Sequence, residues 1–392
     1  MSPDAMELTT RRGFLRVAGF TGGAGFAAAC APAATAPAAP APASTGGGAP
    51  SGQKAAWEEE YDKLVAAAKK EGKLVGLSLV GDGYRKTLDA FEAAFPGIAT
   101  ELQTFASASI WGPKVTEERK AGIYSFDVAI IAPGSALRTY RDAGFWDPYR
   151  TLLIRPDIRE DKNWTNGFDG NWIDTKRELA FAVDSSVTHA VAINTKLVQE
   201  NEIKSALDLL NPKWKGKMIA ADARAGDIRL PITAMRLSHG DDAARRLLTE
   251  MDSTVSREPR TIAEGLVRGR YPIAIGVRVE ILKEFVSQGV AGDVKLLDLP
   301  DIDYVPRNCM FLFNRAPHAS AAKLFLNWIF TKDGQDRFTK ATAFNSPRTD
   351  VPPTDPSRYA KSLKDYRVVN REDEFDALLK TDELLKQWGL VG

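Results

Sequence analysis

Cysteine is nearly absent: Cys30 and Cys309 are the two in 392 residues, so no disulfide is available to a fold that begins after Cys30. Histidine is nearly as scarce, and the three, His189, His239 and His318, are too far apart in sequence to suggest a zinc-type site. Neither sign of charge dominates, with 52 basic and 51 acidic residues. Residues 1–29 hold three arginines and two acids, so the remainder is balanced at 49 of each. A nucleic-acid binder needs a basic surplus to neutralise phosphates, and that partner class is excluded. No stretch after residue 30 provides the roughly 20 apolar residues a membrane-spanning helix needs. There is no internal repeat, no nucleophile elbow, no lysine-bearing glycine-rich phosphate loop and no metal-binding helix motif.

The N-terminus carries addresses rather than structure. Thr9-Thr10-Arg11-Arg12-Gly13-Phe14-Leu15-Arg16 sets two adjacent arginines ahead of a weakly apolar, Gly- and Ala-rich stretch, Val17 to Ala29. The pattern resembles a twin-arginine export signal, whose passengers cross the membrane folded. Ala27-Ala28-Ala29-Cys30 resembles a lipoprotein processing site, with Ala27 where leucine is usual, and marks Cys30 as the lipidation candidate. Residues 31–53 are almost entirely Ala, Pro, Gly, Ser and Thr, which cannot bury enough apolar surface to order the chain. The expected organisation is a signal peptide over 1–29 and a lipid-anchored linker over 30–53.

The full chain is 44% hydrophobic, enough for real cores, and from residue 54 the pattern alternates. Trp57, Tyr61, Leu64, Val65 and Ala68 fall at helical spacing, and Gly72 stops that helix. Residues 73–79 read as a buried strand. A helix carrying Leu88 and Phe91 follows, then a strand near 100–105, a helix near 110–121 and a strand over 126–131. Residues 145–180 are polar and lack period. Strands are expected over 179–183, 187–193, 217–221, 271–276, 294–297 and 309–313. Helices are expected near 227–237, 241–251, 261–268, 278–287, 319–330 and 333–340. Such alternation implies a mostly parallel α/β sheet covered by helices, here in two units.

The ordered set of segments resembles the extracellular solute-binding proteins of ABC importers, in the branch that includes ferric-iron binders. Tyr61-Asp-Lys-Leu-Val-Ala-Ala-Ala-Lys-Lys-Glu-Gly-Lys-Leu-Val75 is similar to that group's opening helix and strand. Ala192-Ile-Asn-Thr-Lys-Leu197 and Leu207-Asp-Leu-Leu-Asn-Pro-Lys-Trp-Lys-Gly-Lys217 are similar to its crossover. Ala316-Pro-His-Ala-Ser-Ala-Ala-Lys-Leu-Phe-Leu326 with Thr331-Lys-Asp-Gly-Gln335 is similar to its return helix. The resemblance covers about residues 55 to 350. It implies a two-lobed type II periplasmic-binding-protein fold with a hinge and an interlobe ligand cleft. Lobe I would comprise 54–190 plus 300–350, lobe II 191–299, and 351–392 a C-terminal surface segment. It further implies a monomeric, extracytoplasmic, lipid-anchored receptor that hands a small solute to an ABC permease, with no cofactor and no catalysis.

Ligands of open α/β sheets bind beyond the C-terminal strand ends, beside helix N-termini. That rule selects Asp82, Gly83 and Tyr84, and Gly134 and Ser135, in the first lobe; Ser135 could instead be a helix cap. In the second lobe it selects Asp222, Arg224 and Gly226, then Arg260 and Thr261, then Arg278. Arg307 precedes the return strand at the presumed hinge. Ferric binders of this branch place adjacent tyrosines near the segment that reads Gly276-Val-Arg-Val-Glu280 here. An arginine there repels a hard cation, which favours an anion such as a carboxylate, phosphonate or sulfonate. The alternatives are a ferric-iron binder of the same fold, a sensory receptor, and an enzyme using Cys309, whose place in an apolar strand argues for an inert thiol.

Overall fold

A computed structural model describes residues 54–392 apart from Gly226, Asp227, Lys361, Val369, Asn370 and Gly392. The signal, Cys30 and the linker lie outside the described residues.

The chain enters through α1 (Ala56–Glu71), closed by Gly72 in the left-handed conformation (φ 69°) that a side chain would resist. Next come β1 (Lys73–Leu79), α2 (Asp82–Ala94), β2 (Ala99–Phe105), α3 (Ala108–Lys120) and β3 (Val128–Ile131). The single turn α4 (Pro133–Ser135), the short β4 (Trp146–Asp147), the turn α5 (Pro156–Arg159) and β5 (Phe181–Ala182) follow. The chain then crosses into a second sheet. That part runs β6 (Val191–Asn194), β7 (Met218–Ala221), α6 (Arg229–Thr249), β8 (Thr254–Ser256), α7 (Pro259–Val267), β9 (Ile273–Ile275), α8 (Val279–Ser287) and β10 (Val294–Leu296). It returns as β11 (Cys309–Phe313), α9 (Ala319–Ile329), α10 (Lys332–Thr342) and finally α11 (Phe375–Gln387).

The first sheet has the order β2-β1-β3-β11-β4, with β5 also on β11. β1, β2 and β3 are parallel, whereas β11 runs antiparallel to β3, β4 and β5. The second sheet has the order β10-β6-β9-β7-β8, parallel from β9 through β8 and antiparallel at β6 and β10. The sheets are therefore more mixed than alternation alone implies. β6 and β11 are the strands by which the chain arrives from the other lobe, and each enters its sheet from the opposite end.

Burial accounts for the elements that carry this plan. β3, β6, β7, β9 and β11 are buried along their whole length, so they read as unbroken apolar runs. One cluster of apolar side chains surrounds the second sheet, and two others cover the two faces of the first. Each fully buried Leu, Ile or Phe contributes about 1.5–3 kcal/mol. The two helices expected at 227–237 and 241–251 join as one kinked helix, α6, whose break is Gly240 at φ 86°.

The C-terminal segment is not a surface appendage, and that expectation is corrected. Ala360, Leu363, Val368 and Phe375 join the core of the first sheet, while Leu378, Leu384 and Leu385 are buried along α11, which packs on α6. Thr381 Oγ1 lies 2.7 Å from Thr233 Oγ1, and Arg229 pairs with Asp382, fixing that helix pair. The segment thus spans both lobes. No helix among the described residues is long and apolar enough to cross a membrane.

Candidate functional site

Two segments connect the sheets, one between β5 and β6 and one between β10 and β11. They lie side by side: Thr188 N–H donates to the Tyr304 carbonyl at 2.7 Å, and Tyr304 N–H to that of Thr188 at 3.3 Å. Asp303, fully buried, clamps them further. It accepts from Ala190 N–H (2.8 Å), Leu299 N–H (2.9 Å) and His189 Nδ1 (2.7 Å).

Against this pair lies a cavity of about 360 Å³. Asp184, Ser186, Thr188 and His189 of the first segment, and Tyr304, Pro306 and Asn308 of the second, form one side. The second lobe adds Gly276, Val277, Arg278, Val279 and Glu280, the turn from β9 into α8, together with Pro231 of α6. Phe344, after α10, and Arg358, from the C-terminal segment, close it. The register explains the convergence: the C-terminal end of β9 pairs with the start of β6, and β11 starts where β3 ends. The strand ends of both sheets thus meet the crossing segments in one place.

Asp184 is the buried carboxylate of the cleft, 2% exposed, and accepts from Asn308 N–H at 3.2 Å and from the Asn308 side-chain amide. Burial pushes its carboxyl up to about 6, against the opposing pull of Asn308 and of Arg307. Arg358 donates Nε–H to the Val187 carbonyl at 2.8 Å, while its own carbonyl accepts from Val187 N–H at 2.8 Å. Its Nη1 stands 3.8 Å from Glu280 Oε1. A second ion pair, Lys283–Asp355 at 3.0 Å, runs parallel between α8 and the 355–358 loop.

Of the residues singled out by the strand-end rule, Arg278 lines this cavity; it is the N-cap residue of α8. Arg307 sits beside it but is 1% exposed and turns to the other side, where it donates to Asn171 Oδ1 and lines a separate depression; burial lowers its guanidinium to about 10. Tyr84 is buried, with its phenol pushed up by burial and then by Asp184, and it does not line the cavity. Asp82 and Gly83 open α2, and a Cβ on Gly83 would meet the Ala341 carbonyl at 2.7 Å, so Gly83 is a packing residue. Gly134 and Ser135 form the turn after β3, and Ser135 makes no side-chain cap bond, so the capping alternative does not hold.

Asp222 and Arg224 bond to each other through Arg224 Nε at 2.8 Å, and Arg257 Nε approaches Asp222 at 3.2 Å. Arg224, and secondarily Arg257, hold the Asp222 carboxyl below the usual carboxylate range. Asp222 and Arg224 line a smaller apolar hollow with Leu390, which shares no lining residue with the cleft. Arg260 is exposed, pairs with Glu284 at 3.0 Å and lies over the Phe285 ring. Thr261 is exposed beside it on α7, and Gly226 lies outside the described residues. Cys309 is fully buried in β11 and burial pushes its thiol well above its ordinary value, which suits an inert thiol.

Among the polar residues of the wall, Asp184, Ser186, Thr188, His189, Tyr304 and Arg358 were not anticipated. Thr188 and His189 fall inside the strand expected over 187–193, Asp184 and Ser186 in the gap before it, and Arg358 stands in a Pro-rich stretch that reads as surface. The one available signal was the Ser, Thr and His cluster immediately before the run Ala190–Ile193.

No family model and no curated protein matches the sequence. Solved structures do. Iron-bound HitA from Pseudomonas aeruginosa superposes with a TM-score of 0.61 at 16% identity, covering 81% of this chain and 99% of its own. The Trichodesmium protein IdiA (FutA), in complex with iron and citrate, gives 0.63 at 16% identity, covering 82% and 100%. The spermidine/putrescine ABC transporter substrate-binding protein PotD from Streptococcus pneumoniae gives 0.62 at 14% identity, covering 81% and 98%. At such identities the likeness is one of fold, and the chain has the two-lobed fold of the type II periplasmic binding proteins.

Proposed function

We propose that this protein is the substrate-binding component of an ABC-type importer, capturing a small anion outside the cytoplasm and delivering it to a membrane permease. The observation that carries this reading is the cavity of about 360 Å³ whose walls come from both lobes and both crossing segments. A solute seated there touches residues 54–190 and 300–350 on one side and 191–299 on the other. It binds the closed arrangement better than the open one, and that difference in affinity drives hinge closure. The closed form is what a permease recognises, and no covalent chemistry is involved.

The anion preference rests on Arg278 and Arg358 in the wall. A ferric ion is best held by several phenolates and carboxylates, and Tyr304 is the one tyrosine among the residues lining the cavity. Upstream, we read residues 1–29 as a twin-arginine export signal and Cys30 as a lipid anchor, with 31–53 as the tether of a monomeric receptor. A sensor kinase in place of the permease would use the same closure.

A thermal-shift screen of the full chain against carboxylates, sulfonates, oxyanions and ferric complexes tests the proposal. A solute at about a hundred times its Kd adds roughly 2.7 kcal/mol of stability. Stabilisation by ferric complexes alone would overturn the anion reading, and silence across the panel would overturn solute capture.

A further inference from the structure

We infer that Arg358, supplied by the C-terminal segment, is the residue that grips the anionic group of the captured solute, and that Glu280 is the internal counter-charge the solute displaces. The inference rests on the solute-capture reading and names the contact within it.

A buried guanidinium needs acceptors for its five N–H groups, or its desolvation goes uncompensated. Arg348 shows how the fold meets that need. Its side chain is 2% exposed, and it bonds Asp350 through Nε (2.8 Å) and Nη2 (2.9 Å) and the Phe330 carbonyl through Nη1 (2.9 Å). Arg358 is 6% exposed, yet its guanidinium makes one hydrogen bond, from Nε to the Val187 carbonyl. Its one ion pair within 4 Å among the described residues is to Glu280, at 3.8 Å and beyond hydrogen-bond distance, while the carboxylates of Asp184 and Asp355 feel its charge from farther away. Both Nη groups are therefore left as a planar donor fork at the wall of the cleft.

The fork is held in place before any solute arrives. Val187 is bonded to Arg358 through both its N–H and its carbonyl, Ser186 and Tyr359 form a bridge, and His189 Nε2 meets the Ser357 carbonyl at 2.9 Å. Asn345 and Asp355 exchange two bonds of 2.8 Å. A fixed guanidinium binds a carboxylate, sulfonate or inorganic oxyanion bidentately with little further ordering cost. Glu280 is suited to leave: its side chain is 72% exposed and sits on α8 of the opposite lobe, so water can take over its charge. Displacement then exchanges a long ion pair between lobes for a ligand that bridges them.

The test is isothermal titration of the full chain with sodium sulfate and, separately, sodium benzoate in chloride-poor buffer. Benzoate reports whether Val277, Val279 and Phe344 favour an apolar body. Arg358→Gln is expected to weaken the better probe by about tenfold or more. Glu280→Gln, at an exposed position, is expected to tighten it by about threefold, and that gain should vanish when Arg358→Gln is also present. Arg358→Lys keeps the charge without the fork and should fall between wild type and Arg358→Gln. Arg245→Gln, on the surface of α6, should change nothing. Wild-type affinity in Arg358→Gln, no gain in Glu280→Gln, or no binding of either probe would overturn the assignment. Binding that persists in Arg358→Gln leaves solute capture standing, whereas failure of every panel solute to compact the protein removes that reading itself.

Discussion

His189 Nδ1 lies 2.7 Å from Asp303 Oδ2 while its Nε2 lies 2.9 Å from the Ser357 carbonyl, so one ring ties a crossing segment to both the other segment and the C-terminal loop. Two acceptors call for two N–H donors, which only the imidazolium supplies. Burial opposes that charge, but Asp303 and the Ser357 carbonyl outweigh it and raise the His189 pKa. A folded value above the unfolded one gives stability that is complete below about pH 6.5 and is lost as pH rises through the folded value. Urea unfolding is expected to show stability falling from about pH 6.5 towards 8. His189→Gln should flatten that slope, and an equal slope in the variant would contradict this account.

Asp184 governs a lower pH window. Its folded carboxyl, pushed up to about 6 by burial, stands above its ordinary value, so the stability it contributes is full in acid and lost as pH rises through about 6. Ionised, it repels an anion in the same cleft. Sulfate affinity is therefore expected to rise as pH falls through about 6, with proton uptake on binding. Asp184→Asn should bind at neutral pH as the wild type binds in acid. Titrations in buffers of different ionisation enthalpy measure the uptake, and a pH-independent affinity would sink the idea.

The fold was legible where burial writes a pattern. β11 reads Cys-Met-Phe-Leu-Phe because both faces are covered, and α2 shows its phase through Leu88 and Phe91. β8 was missed because Thr254 and Val255 are exposed at a sheet edge, and α11 was read as surface because its buried Leu378, Leu384 and Leu385 are interleaved with charge. The cleft was half legible. Strand ends pointed to Gly276-Val277-Arg278, but they pointed equally to Asp222 and Gly134, since the rule cannot say which ends converge. Arg358 reaches the cleft only through long-range pairing with Val187, which no local pattern encodes.

Gly83 should matter for packing rather than for solute. An added Cβ would lie 2.7 Å from the Ala341 carbonyl and 2.8 Å from Thr342 Cα, both backbone at the end of α10. Gly83→Ala is expected to cost about 1–3 kcal/mol of stability as an overpacked contact. Anion affinity should stay unchanged; a loss of affinity without a loss of stability would return Gly83 to the ligand site.

The C-terminal helix is expected to behave as core. Leu385, 2% exposed on α11, should cost about 2–5 kcal/mol on truncation to Ala in denaturant unfolding. A cost near zero would mean that α11 does not hold its place on α6 in solution.

The most direct measurement is small-angle X-ray scattering of the full chain with and without the solute that stabilises it most in the thermal screen. Capture between two lobes predicts a smaller radius of gyration at saturation. It also predicts that Arg358→Gln needs a higher concentration of the same solute to reach the same compaction. A stabilising solute that leaves the scattering curve unchanged would contradict capture by lobe closure.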